Sequence, residues 1–236
     1  ANMSTTAFKR QRAEFQDLLY QNLRRPGATS SDANTIVPSG IQIGVGVRAA
    51  GVYRIHEQGN MMSTGNTYDL AINGKGFFQI TLPSGETAYT RAGSFQLDDQ
   101  GQIVTVDGYQ LQPGITVPQG ALSVSIDATG IVEARIAGQV QAQQLGQIQL
   151  ATFINEAGLE ALGDNLFLET AASGQPTVGN PNAAGFGTLR QGYLETSNVN
   201  PVQEITNLIT AQRAYEMNSK VITASDEMLQ ATTRLR

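Results

Sequence analysis

The chain has 236 residues, 40% of them hydrophobic and only 15% charged, with a formal net charge of -5 at neutral pH. That length suffices for one or two domains with a real core, and the acidic balance argues against nucleic-acid binding by charge. The absence of cysteine excludes a disulfide framework, a thiolate nucleophile and a Cys-based zinc site.

Amides, hydroxyls and glycine fill the polar positions. A surface poor in charge repels its own copies weakly, which suits a protein whose surface ends up against other protein. No apolar run is long enough to span a bilayer, and no charged-then-apolar secretory leader is read at the start.

Three regions differ in texture: 1–65, 66–196 and 197–236. In the first, Ala1-Asn2-Met3-Ser4-Thr5-Thr6 reads as the tail of a longer sequence. Thr5 or Thr6 caps a predicted helix holding Phe8, Phe15, Leu18, Leu19 and Leu23, with Phe8, Phe15 and Leu19 on one face. Pro26-Gly27 stops it. Residues 28–39 are polar and without period, which predicts a loop. The run from Gly40 to Arg48 alternates strictly and predicts a strand, its glycine face leaving room for a second backbone.

The region 66–196 is strand and turn throughout. Asp69-Leu70-Ala71-Ile72 ends at Asn73-Gly74, and Phe77-Phe78-Gln79-Ile80-Thr81-Leu82 ends at Pro83-Ser84-Gly85. Further strands are predicted after Ala88, Ser94, Ile103 and Tyr109, around Val124, Val132 and Val140, and from Ile148 to Phe153. Short strands at near-regular spacing with glycine-bearing turns predict an antiparallel, mainly-β domain, sandwich or barrel. Residues 171–187 predict a long surface loop.

The last region predicts one long helix. Asn198 or Asn200 caps it, Pro201 takes the first helical position, and no glycine or proline follows. Ala214, Met217, Val221, Ala224, Met228, Ala231 and Leu235 keep the spacing of a coiled-coil seam. Leu208, Tyr215, Ile222 and Leu229 form a second stripe beside it. Two stripes suit a helix with neighbours on two flanks; a helix folded back on its own β domain is the alternative. The fold class is thus α+β: a β-rich domain, a long terminal coiled-coil-type helix and an extended N-terminal arm.

Chemistry-bearing constellations are missing. His56, the only histidine, has no recognisable nucleophile or orienting carboxylate in its segment. Gly74-Lys75-Gly76 and Gly44-Val45-Gly46 lead into no helix and read as turn and bulge glycines rather than phosphate cradles. Asp98, Asp99 and Asp127 lie near glycine in hairpin turns, where aspartate is favoured for backbone reasons. Lys9, Arg10, Arg12, Arg24 and Arg25 are interrupted by Glu14 and Asp17 and carry no aromatic platform for bases. Glu156 and Glu160 read as surface charge. No catalytic residue, metal, cofactor, nucleic acid or small-molecule substrate is expected. An extracellular binding module lacks the tryptophan it would favour and has scattered tyrosines, and a carboxylate hydrolase lacks a constellation.

Five segments carry a resemblance. The opening through Ala7-Phe8-Lys9-Arg10 is similar to the end of the N-terminal signature of bacterial flagellar rod and hook axial proteins, where a glycine is usual at the position of Ala7. The runs 69–78 and 89–95 resemble that family's core strands, with Asn73, Gly74, Gly76, Phe77, Phe78, Arg91, Gly93 and Phe95 as the matching residues. The runs 191–200 and 212–220 resemble the entry and interior of its C-terminal helix. Within the family, the stretch holding Tyr20, Pro26, Gly27, Pro38, Gly40, Gly44 and Gly46 is most similar to distal-rod members; proximal-rod and hook members are the alternatives.

The resemblance implies a structural subunit and no enzyme. Such subunits leave the cell by the flagellar type III path without a cleaved signal and polymerise helically. The terminal helices then line an inner tube with its export channel, beneath an outer wall of β domains. The resulting rod crosses the periplasm and carries torque to the hook. Implied partners are further copies of the chain, proximal rod proteins, the hook protein and the surrounding P- and L-ring proteins.

Overall fold

The computed structural model describes residues 2–27 and 38–234 and falls into two units. One is Lys9–His56; the other joins the residues up to Phe8 with those from Glu57 onward.

The inserted unit is a two-stranded antiparallel ribbon. β1 (Gln11–Asp17) pairs with β4 (Val47–Arg54), and β2 (Tyr20–Arg24) pairs with β3 (Ile41–Gly44). The Leu18 N–H donates to the Gly46 carbonyl at 2.9 Å between the two ladders, and at the base the Ile55 N–H donates to Arg10 at 2.9 Å. At strand rise the path from Gln11 to Arg24 extends about 45 Å.

The helix expected from Phe8 to Leu23 is therefore corrected to strand. Lys, Arg, Gln, Ala, Glu and Leu dominate that stretch and are good helix formers. The β-branched residues of 41–54 offer it a ladder instead, and pairing overrides local preference. The strand expected over 40–48 breaks at Gly46, whose φ of 131° divides β3 from β4. Of the loop expected over 28–39, only Pro38 and Ser39 lie among the described residues.

The second unit strings short strands between turn glycines. They are β5 (Met61–Ser63), β6 (Leu70–Asn73), β7 (Phe77–Thr81), β8 (Thr87–Thr90), β9 (Phe95–Leu97), β10 (Ile103–Thr105) and β11 (Gln110–Leu111). Then follow β12 (Ala121–Ile126), β13 (Ile131–Ile136), β14 (Gln143–Gln147), β15 (Leu150–Thr152), β16 (Glu160–Gly163), β17 (Leu166–Leu168), β18 (Thr177–Gly179), β19 (Thr188–Gln191) and β20 (Tyr193–Glu195). The largest sheet runs β16-β17-β8-β7-β11-β10-β9, with β15 bridging β7 to β18. Its path is open rather than closed into a barrel. β12-β13-β14 form a second sheet, and β6 pairs with β19 as β5 does with β20.

β7 lies at the centre because both its faces are covered. Phe78 turns into the main core with Leu70, Ile80, Phe95, Ile148 and Val132, meeting the Phe95 ring edge-on at 5.2 Å. Phe77, on the opposite face, joins Tyr89, Phe153 and Phe167. Residues of β12 and β13 share the main core, so the three-stranded sheet packs over the large one.

Two hairpins use the same turn device. Asp98 Oδ1 accepts from the N–H groups of Gln100 and Gln102 at 2.9 and 2.7 Å, and Gly101 takes φ 78°. Asp127 Oδ1 accepts from those of Thr129 and Ile131 at 2.9 Å each, and Gly130 takes φ 84°. In both, a carboxylate stands in for a backbone acceptor, which is why aspartate belongs there. Two expectations fail in this unit. Val140 lies in the turn between β13 and β14, 94% exposed, because its neighbours form no ladder. The loop expected over 171–187 contains β18, recruited by pairing with β15.

α1 (Pro201–Arg234) spans 34 residues, about 50 Å at helical rise. Every described side chain on it is exposed. The fold-back alternative is not what the structure holds. No helix among the described residues is long and apolar enough to cross a membrane.

Candidate functional site

The sequence-predicted core motif converges on one guanidinium. Gly74 and Gly76 bend the chain between β6 and β7 at φ 111° and 134°. Arg91, just past β8, reaches into that bend. Its Nη1 donates to the carbonyls of Gly74 and Gly76 at 2.9 Å each, its Nη2 to Ile72 at 3.1 Å, and its Nε to Glu195 Oε2 at 2.8 Å. A planar fork with fixed donors suits this task; an ammonium would not. A Cβ on Gly93 would overlap the Leu70 carbonyl, so that glycine lets β6 and the post-β8 segment close around the arginine. Phe77, Phe78 and Phe95 line the adjoining cores, whereas Asn73 is exposed at the end of β6.

Glu195, which the sequence does not single out, completes the arrangement. It is 1% exposed, at the end of β20, and its carboxylate faces two ways. One oxygen takes Arg91; the other accepts the Gly59 N–H at 2.8 Å. Its carbonyl accepts the Ala7 N–H at 2.8 Å. The only hint in the sequence was one arginine and one glutamate, each alone in an otherwise uncharged run.

From Glu195 the chain is pinned up to the start of α1. Thr196 donates through its N–H to the Asn60 carbonyl at 2.8 Å, and Asn198 donates to Phe8 at 3.2 Å and through its Nδ2 to Glu57 at 3.0 Å. Asn165 Nδ2 holds the Thr6 carbonyl at 3.1 Å. Thus the segment before the ribbon, the segment after it and the lead-in to the helix meet at one seam. Gly59 makes this possible, because a Cβ there would overlap the Thr196 carbonyl.

Helix entry follows the predicted chemistry. Asn200 Oδ1 accepts from the N–H groups of Val202 and Gln203 at 3.0 and 3.3 Å, Pro201 opens the helix, and Glu204 lies in the positive first turn. Leu208, Ala214, Tyr215, Met217, Val221, Ile222, Ala224, Met228 and Leu229 are all exposed; Leu235 lies outside the described residues. Val221 and Ile222 differ by about 100° around the axis, so the two stripes occupy adjacent faces. Val202, Ile205 and Ile209 are also exposed and lie mainly outside both stripes, toward the N-terminal end. The hydroxyls between them turn inward to the helix's own carbonyls: Thr206 to Val202 at 2.8 Å, Thr210 to Thr206 at 2.9 Å and Ser225 to Val221 at 2.8 Å. These three hydroxyls can be covered by a neighbour without being stranded.

On the ribbon, Tyr20 is half exposed opposite Gly44, where a Cβ would touch the Tyr20 ring at 3.4 Å. Gly27 takes φ 81° beside Pro26, and Gly40 packs so tightly on Pro26 that no side chain fits. Pro38 is exposed at the same end, and Gly46 marks the break between the ladders. β1, β2 and β3 are exposed on both faces, with Phe15, Leu19 and Leu23 in solvent. Among the described residues no group of three or more histidine, aspartate or glutamate side chains is placed to hold a metal.

Comparison with known proteins matches two families. Residues 71–134 match the Flagellar hook protein FlgE/F/G D1 domain, and residues 190–235 match the Flagellar basal body rod FlgEFG protein C-terminal. A flagellar basal-body rod protein FlgG of Caulobacter vibrioides is 63% identical over 236 residues, covering 100% of this chain and 90% of the relative. The FlgG of Agrobacterium fabrum is 54% identical over 97% of this chain and 87% of its own. A flagellar basal-body rod protein FlgF of Caulobacter vibrioides is 34% identical over 97% of this chain and 84% of its own.

Proposed function

Since the chain belongs to the flagellar basal-body rod protein family and is a structural subunit of the distal rod rather than an enzyme, we propose that it polymerises helically through α1 into a rigid hollow shaft. The distal-rod reading is favoured over the proximal one by the gap between 63% and 34% identity to two rod proteins of one organism.

The observation that carries the assembly reading is the state of α1. It is a long helix with apolar side chains on several faces, all exposed, and with the hydroxyls of Thr206, Thr210 and Ser225 already bonded internally. Each Val, Leu, Ile or Met covered by a neighbour contributes about 1.5–3 kcal/mol before association costs. Heterologous contacts of that kind, repeated without closing, build an open helical polymer. In this reading 197–236 forms the inner tube around an export channel and 66–196 the outer wall. Residues 1–65 supply the arm, in which the two-sided ribbon grips neighbouring subunits. A two-stranded ribbon is marginal alone, which supports a partner for it. The remaining proposed contacts are proximal rod proteins and the hook protein at the two ends, with P- and L-ring proteins around the shaft. The shaft crosses the periplasm and its subunits leave by the flagellar type III path.

Electron microscopy of the concentrated protein tests this. Val221→Asp is expected to abolish filaments while the circular dichroism of the β unit is unchanged. Filaments formed as well by Val221→Asp and Ile222→Asp as by the parent would overturn the role of α1.

A further inference from the structure

The last residue of β6 is an exposed asparagine, and a glycine follows it. With no side chain on the second residue, nothing bulky shields its backbone nitrogen, and that nitrogen can attack the preceding carboxamide. In this fold the nitrogen is occupied. The Gly74 N–H donates to Gln58 Oε1 at 2.9 Å, across from the strand end. The Gly74 carbonyl is held by Arg91 Nη1 at 2.9 Å, and Asn73 is held opposite Thr188 in the ladder between β6 and β19.

We infer that Asn73 is a site of non-enzymatic deamidation, and that Gln58 sets its rate by holding the attacking nitrogen. In the reaction the Gly74 nitrogen gives its proton to water or hydroxide and bonds to the Asn73 side-chain carbonyl carbon. The carbon–nitrogen bond of the carboxamide breaks, and ammonia leaves with a proton from solvent. Water then opens the five-membered imide at either carbonyl, giving an aspartyl or an isoaspartyl residue at position 73. No oxidant or reductant is involved. Gln58 opposes the first step, because the N–H must leave its acceptor before the nitrogen can turn toward the carboxamide. The isoaspartyl product inserts one more carbon between the α-carbon of residue 73 and the Gly74 nitrogen, which moves the Gly74 carbonyl away from Arg91.

The site lies wholly in the β unit and does not depend on polymerisation. The test incubates the full chain in mildly alkaline buffer and follows position 73 by peptide mass spectrometry. Gln58→Leu is expected to deamidate there about fivefold faster, matching the loss of one hydrogen bond of about 1 kcal/mol. Gln58→Glu keeps an acceptor and is expected to be no faster than the parent, and Asn73→Ser removes the signal. Hydrogen exchange separates local from global opening: Gly74 should exchange faster in Gln58→Leu while Val132 in the core does not. The inference is overturned by an unchanged rate in Gln58→Leu, by no deamidation at position 73 in any variant, or by an acceleration accompanied by faster exchange at Val132.

Discussion

Arg91 Nε and Glu195 Oε2 lie 2.8 Å apart with side chains only 6% and 0% exposed. The pair ties the strand that leads to α1 to the bend between β6 and β7, and the second carboxylate oxygen extends the tie to Gly59. The guanidinium donates to Glu195 and to the carbonyls of Ile72, Gly74 and Gly76, the kind of pairing under which a buried charge is tolerated.

Substituting either partner removes a buried, hydrogen-bonded ion pair. Glu195→Gln or Arg91→Gln is expected to cost about 3–5 kcal/mol, read from the urea midpoint. Arg91→Lys restores charge without the fork and should recover only part of the loss. A cost below 1 kcal/mol for both Gln variants would mean that water reaches the pair.

Gly59 has no room for a side chain. Gly59→Ala is expected to lower the thermal midpoint sharply, because the Cβ meets the Thr196 backbone rather than a side chain that can rotate away. Gly51→Ala, in the ribbon with open space around it, should leave the midpoint within a degree or so, as surface changes of under about 0.5 kcal/mol do.

Ala7 is buried and takes φ 55°, a left-handed conformation that costs an L-residue about 1–2 kcal/mol. Glycine adopts this conformation without that cost. Ala7→Gly is expected to raise the unfolding free energy by about 1 kcal/mol, measured by chemical denaturation. No gain, or a loss, would show that the methyl group's packing outweighs the strain.

The acid limb of stability has a contribution from Asp127. Burial raises its pKa, but hydrogen bonds from the Thr129 hydroxyl and from the N–H groups of Ile131, Thr129 and Gly130 outweigh this and hold the carboxyl below its ordinary value. A depressed carboxylate stabilises the fold above its unfolded pKa, and that contribution is lost as pH falls through the folded value. Asp127→Asn should therefore flatten the stability profile in that acid window and change little of its shape at neutral pH. On the alkaline side Tyr89 is pushed up to about 12 by burial and then by Glu169. Its neutral form is favoured in the fold, so stability should fall between the ordinary phenol value near 10 and that point, and Tyr89→Phe should remove this slope.

Features set by a few neighbouring residues were legible in the sequence. The hairpins at Asp98 and Asp127 and the helix entry at Asn200-Pro201 each rest on groups within about four positions of one another. The ribbon was not legible, because whether Gln11–Asp17 is helix or strand depends on Val47–Arg54, and local preference alone favours helix. β18 was missed for the same reason: Thr177–Gly179 becomes a strand only because β15 offers an edge. Glu195 was hidden in another way. Its partners Arg91, Gly59 and Ala7 are scattered along the chain, and no local pattern announces a contact of that range.

The hydrogen bond from Ile55 to Arg10 at 2.9 Å closes the ribbon's base, so everything between them hangs from a single doorway in the chain. Such an insert can be lengthened, trimmed or exchanged without re-routing the strands that flank it. Changes in its length or stiffness are thus confined to this one appendage and leave the Arg91 hub and the helix entry undisturbed.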